Sequence, residues 1–116
     1  MNQREIKFRA WDKKKKRWVS FTAIEFKRGR VFLKDGFGNY IDGDFEIVEF
    51  TGLKDSKGVE IYEGDIVKND FGNIREIIWL GFGFVQQFGK ASYENVPLES
   101  NLEVIGNIYE NPELLK

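Results

Sequence analysis

Ile6, Phe8 and Ala10 alternate with Lys7, Arg9 and Trp11, the two-residue period of a half-buried strand. Arg17 to Phe21 reads as its antiparallel partner, with Asp12 and Lys13 to Lys16 at the tip of the hairpin. Four adjacent lysines repel one another and stay hydrated, so a loop is their natural place. Trp11 and Trp18 flank that tip and are positioned to pair across the strands. Ala23 to Lys27 and Arg30 to Lys34 form a second strand pair around Arg28 and Gly29, where glycine supplies the positive φ of a tight turn. Asp35, Gly36, Phe37, Gly38 and Asn39 make a turn cluster.

The alternation continues in Phe45 to Phe50, where apolar residues fall on both faces. A turn-rich stretch follows from Thr51 through Gly52, Asp55 and Gly58. Gly64 and Asp65 then interrupt an apolar run before Ile66 and Val67. Asp70 to Asn73 turn the chain into the β-prone stretch Ile74 to Leu80. Val85 to Phe88 and Leu102 to Tyr109 complete the predicted strands. Near the end, Asn111 is placed as an N-cap, Pro112 suits the first helical position and Glu113 the first turn, giving a helix of barely one turn. The pattern predicts a mainly β fold of small barrel-like antiparallel sheets, an SH3-like element in the C-terminal half, and one short C-terminal helix at most. Residues 1–116 read as one domain, with lobes at 1–50 (basic-front β hairpins) and 51–116 (the barrel-like half).

Composition narrows the chemistry. Of 116 residues, 41% are hydrophobic and 16% aromatic, enough to bury a core. With no Cys and no His, disulfides, thiol nucleophiles, imidazole acid–base chemistry and ordinary zinc sites are excluded. The net charge of -1 hides an asymmetry. Residues 1–30 hold 11 Lys/Arg and 3 Asp/Glu, whereas residues 31–116 hold 7 and 16. No apolar run approaches the roughly 18 residues of a membrane span, and no signal peptide is read at the start. The expectation is a cytoplasmic protein with no membrane partner.

Three blocks carry a family resemblance. The first is Arg4-Glu5-Ile6-Lys7-Phe8-Arg9-Ala10-Trp11-Asp12. The second runs from Phe50-Thr51-Gly52-Leu53-Lys54-Asp55 to Gly58 and on through Glu60-Ile61-Tyr62-Glu63-Gly64-Asp65-Ile66-Val67. The third is Glu103-Val104-Ile105-Gly106-Asn107-Ile108-Tyr109-Glu110-Asn111-Pro112-Glu113-Leu114-Leu115. In this order they span nearly the whole chain, which resembles the YopX family of small bacteriophage and prophage proteins; the stretch between Gly72 and Asn101 matches only loosely. The resemblance implies a predominantly β fold and a phage or prophage setting. It implies no activity and carries no functional residue onto this chain.

Candidate chemistry is sparse. Glu60, Glu63 and Asp65 suggest metal ligands or paired carboxylates, but their spacing matches no calcium loop. Turn chemistry accounts for them better, and Gly52, Gly64 and Asp65 are assigned as structural turn residues. Gly81-Phe82-Gly83-Phe84 lacks the Gly-Lys-Ser/Thr of a phosphate loop, and Gly36-Phe37-Gly38 lacks the helix of a dinucleotide site. Phe37, Phe71 and Phe82 are read as core fillers, with a stacking platform or interface knob as the alternative. Lys7, Arg9, Trp11, Lys13, Lys14, Lys15, Lys16, Arg17 and Trp18 mix cations and aromatics as single-strand binders do. The leading expectation is a nonenzymatic accessory protein that acts through protein contacts and forms a homo-oligomer. Its partner would be a phage or host protein, and it would use no catalytic residue, cofactor or metal. Nucleic-acid binding through the basic hairpin is the alternative, and a carboxylate- or Lys/Tyr-based enzyme ranks third.

Overall fold

The computed structural model describes residues 5–81, 83–87, 93–94 and 101–115. The described residues are 54% strand and 4% helical, so the mainly β expectation holds. Phe82 and Phe88 lie outside the described residues. The chain divides into two compact units, Met1–Lys7 with Val48–Lys116, and Phe8–Ile47; the lobes read from the sequence were 1–50 and 51–116.

The smaller unit opens on a hairpin of β1 (Phe8–Asp12) and β2 (Arg17–Val19). Its register pairs Ala10 with Val19, Trp11 with Trp18 and Asp12 with Arg17. β3 (Ala23–Lys27), β4 (Arg30–Lys34) and β5 (Tyr40–Ile41) form an antiparallel sheet in that order. Arg28 (φ 52) and Gly29 (φ 73) are the two residues of the β3–β4 turn, both left-handed, as the twist of a tight hairpin demands. Leu33, in the centre of this sheet, is fully buried.

β6 (Phe45–Lys54) begins in the smaller unit and ends in the larger one. In the larger unit it pairs with β7 (Glu60–Tyr62) through Phe50–Tyr62 and Lys54–Glu60. The five-stranded half-barrel follows: β8 (Asp65–Lys68), β9 (Ile74–Trp79), β10 (Phe84–Gln87), β11 (Tyr93–Glu94) and β12 (Glu103–Asn107), in the order β11-β10-β9-β8-β12, all antiparallel. Ile61, Val67, Ile77 and Leu102 form its core, with Phe84 and Val104 packed against them. Both faces of β8 are covered, which is why Asp65, Ile66 and Val67 are all buried.

Three loops share one hydrogen-bond pattern: Asp35–Asn39 between β4 and β5, Asp55–Val59 between β6 and β7, and Asn69–Asn73 between β8 and β9. In each, the Oδ1 of the first residue accepts the backbone N–H of the third and the fifth. The first N–H donates to the fifth carbonyl, and the fourth N–H donates to the first carbonyl. The fourth residue is Gly38, Gly58 or Gly72, each at φ 83, the left-handed step that closes a three-residue hairpin loop.

After β12, Asn107 Oδ1 accepts the N–H of Tyr109 and Glu110, and a 3-10 helix spans Pro112–Leu115. The helix lies where the sequence predicts it, but the Asn111 side chain turns back to accept the N–H of Asn107 rather than capping the helix.

Candidate functional site

The basic hairpin is built by its tip. Asp12 ends β1, and its Oδ1 accepts the N–H of Lys14 and Lys15, while its carbonyl accepts the N–H of Lys16. The backbone bond from Lys15, then that from Lys14, holds the Asp12 carboxyl below its ordinary range. Lys16 takes φ 56 to turn the chain into β2. All four tip lysines are exposed, and Lys13 pairs with Asp44 (3.7 Å) and Glu46 (3.4 Å). Among the described residues no ion pair involves Lys14, Lys15, Lys16 or Arg17.

Behind the tip the aromatics are largely committed to the protein. Trp11 and Trp18 meet edge to face, with ring centroids 5.0 Å apart, as their cross-strand positions require. Trp11 is only 5% exposed, which corrects its inclusion among surface contacts: no base can reach its ring. The Arg9 guanidinium lies 3.8 Å from the Trp18 ring centroid, a cation–π contact within the hairpin. A shallow cleft of about 310 Å³ lies here, lined by Phe8, Arg9, Ala10, Trp18, Val19, Ser20 and Phe21.

Lys7 belongs to the larger unit. Its ammonium is held by Glu60 and Glu5 and sits 5.5 Å from the Phe50 ring centroid. The Glu60 bond, then the Glu5 bond, raises it above the ordinary lysine range. The smaller unit thus gathers Arg9, Lys13 to Lys16, Arg17 and Trp18 at one hairpin and buries Trp11, while Lys7 lies in the larger unit.

The carboxylates of the central block go to separate tasks. Glu60 binds Lys7 and accepts the Tyr62 hydroxyl at 3.2 Å. Asp65 is buried, and its Oδ2 accepts the N–H of Tyr62 at 2.7 Å across the turn between β7 and β8. Among the described residues no group of three or more Asp, Glu, His or Cys could hold a metal ion. The Glu76 carboxyl is raised above its ordinary range, pushed up by burial first and by neighbouring Glu63 second. No sequence motif marks it.

Gly64, at φ 87, donates its N–H to Ile77 and accepts the N–H of Ile108, tying the turn to β9 and to the end of β12. Gly52, read in the sequence as part of a turn, lies inside β6 at an irregularity in its pairing with β7. There it takes φ 88, while Thr51 Oγ1 donates to the Ile61 carbonyl and accepts the N–H of Leu53.

Two features escaped the sequence. Phe37 is 93% exposed and Phe71 88%, each at the third position of the shared loop. Both were expected to fill the core, but the loop spends its backbone on the first side chain and points the third outward. The second feature is a network on the three-stranded sheet. Glu25 accepts Lys34 at 2.7 Å, Lys27 at 3.0 Å and the Tyr40 hydroxyl at 3.0 Å. These bonds, Lys34 first, pull the Glu25 carboxyl down to about 2. Two neighbouring clefts of about 420 and 390 Å³ share Phe32, Ile41 and Gly43. The β3–β4 register brings Lys34 beside Glu25, and the pairing of Lys34 with Tyr40 adds the hydroxyl from two-residue β5, which gives no periodic signal.

No helix among the described residues is long and apolar enough to cross a membrane. No curated protein matches the chain. The crystal structure of protein EF1440 from Enterococcus faecalis is similar over 98% of this chain and 100% of that one, at 29% identity and a TM-score of 0.66. The model of the family described as YopX protein matches residues 7–116, which includes most of the first block and all of the other two. The chain therefore belongs to the YopX family.

Proposed function

We propose that this is a nonenzymatic phage or prophage accessory protein that acts through contacts with a phage or host protein and through self-assembly. The observation that carries this reading is the pair Phe37 and Phe71, almost fully exposed on loops whose backbones are pinned by five-residue hydrogen-bond networks. A large apolar side chain held in water on a fixed loop gains nothing for the isolated fold. It is preorganised to be buried by something else, and preorganisation lowers the entropy cost of binding. Phe37→Ser and Phe71→Ser should leave stability within about 0.5 kcal/mol, as substitutions on exposed positions do. The double variant should lose at least about tenfold in self-association or partner retention, roughly 1.4 kcal/mol. Unchanged sedimentation together with unchanged retention would count against this reading.

Nucleic-acid binding through the hairpin tip stands second, favoured by Lys14, Lys15 and Lys16, which make no ion pair among the described residues. Replacing Lys13 to Lys16 with Ser should then weaken binding and lower the salt slope by about 0.7–0.9 for each phosphate no longer neutralised. The first reading expects little wild-type affinity in an anisotropy titration at about 150 mM salt, where surface charges are screened beyond roughly 8 Å. Submicromolar binding that vanishes in the four-serine variant would reverse the order of the two readings.

A further inference from the structure

We propose that β3 is the edge through which two copies of this chain pair, antiparallel and centred on Phe26. The proposal rests on the self-assembly reading and assigns it a surface. β3 is the outer strand of the β3-β4-β5 sheet. Its two-residue turn closes on Lys27 and Arg30, so Lys27, Glu25 and Ala23 direct their backbone groups toward β4. Ile24 and Phe26 direct theirs to the open side, and among the described residues no backbone hydrogen bond reaches them. Open edges invite a further strand unless charge, proline or a covering segment blunts them. Here no proline interrupts the strand, and Phe26, 68% exposed, sits beside the open groups.

Charge selects the second copy as occupant and fixes the register. With Phe26 opposite Phe26, each Glu25 faces Lys27 of the other copy, twice by symmetry, the self-complementary arrangement of an isologous contact. Centring on Glu25 instead would set two carboxylates opposite each other, which is unfavourable. Lys27 can serve both partners: it reaches Glu25 of its own strand at 3.0 Å, and its side chain is 58% exposed. Lys34 and Tyr40 hold the Glu25 carboxylate in place on the strand. In this register the two strands overlap over Glu25–Lys27, with Ile24 opposite Arg28 of the other copy's turn, so the contact buries well below the standard interface of about 1,600 Å² and association no tighter than micromolar is expected.

Sedimentation velocity over a concentration series on the full chain tests this. Wild type should dimerise, and the Ile24 and Phe26 amides should gain protection from hydrogen exchange as concentration rises. Phe26→Lys and Ile24→Pro, which spare the bonds to β4, should each weaken association at least about tenfold. Lys27→Glu sets like charges opposite each other and should also weaken it, with the loss shrinking at high salt. Should the proline variant misfold by circular dichroism, the two charge variants decide. A monomeric wild type overturns both this proposal and the self-assembly reading. A wild type that associates, is indifferent to Phe26→Lys and Lys27→Glu, and is disrupted by the double loop variant overturns the β3 edge and leaves self-assembly standing.

Discussion

Gly64→Ala is expected to cost about 2–4 kcal/mol, summing a left-handed penalty of about 1–2 with a packing penalty of similar size. Gly64 takes φ +87, and a Cβ built there lies 3.2 Å from Tyr109 Cε2 and 3.5 Å from Ile108 Cγ1. Relaxing the backbone is no escape, because its N–H is held by Ile77 and its carbonyl by Ile108. Gly58→Ala is the control: φ is +83, and nothing lies within 4 Å of its Cβ position. That variant should lose only the conformational part, about 1–2 kcal/mol. Urea midpoints at constant m value measure both. Equal losses would show that the packing against Tyr109 contributes nothing.

Asp55→Ala should cost about 2–4 kcal/mol, because one buried carboxylate serves both a loop and a distant strand. Its Oδ1 accepts the N–H of Lys57 and Val59, and its Oδ2 accepts the N–H of Val104, 49 residues away. Asp35→Ala removes the same two loop bonds without the third and should lose only about 0.5–1.5 kcal/mol. Asp55→Asn keeps the loop acceptor but cannot accept from Val104, so it should fall between them. Burial alone would raise the Asp55 carboxyl, but the N–H donors of Val104, Val59 and Lys57 outweigh it and hold the group below its ordinary value. The stabilisation is therefore complete above the unfolded value of about 3.9 and is lost as pH falls through the lower folded one. An acid-unfolding curve of Asp55→Ala parallel to that of wild type below pH of about 4 would show that the carboxylate is not linked to folding.

Much of the strand plan was legible, because half-buried strands alternate and their turns use residues with local chemistry. The β1–β2 and β3–β4 hairpins, the Trp11–Trp18 pair and the Arg28-Gly29 turn all follow from such local signals. Longer-range choices were not legible. Asp55 reads as one more turn aspartate, and nothing nearby announces that Val104 will occupy its second oxygen. Phe37 and Phe71 were assigned by hydrophobicity to the core, although the common spacing of Asp35, Asp55 and Asn69 to Gly38, Gly58 and Gly72 marks a loop whose third residue points out. That spacing was the available signal, visible only when the three turns are aligned with one another. At the basic hairpin, the mixture of cations and rings was apparent in the sequence. Which ring would be buried, and which lysine would be claimed by Asp44 and Glu46, depends on packing that the local pattern does not encode.

The division of the chain also sets an order of assembly during synthesis. The smaller unit is one uninterrupted segment, Phe8–Ile47, whose hairpins close over short separations, so its contacts can form as soon as it leaves the ribosome. The larger unit encloses it in sequence. The Lys7 carbonyl accepts from Phe50 and its ammonium binds Glu60, so the opening segment waits, unpartnered in these contacts, until more than forty further residues have been made. Val104, the partner of Asp55, emerges later still. A nascent chain halted near residue 47 would therefore hold one unit complete, and termination there would strand the N-terminal segment without the side chains that anchor it.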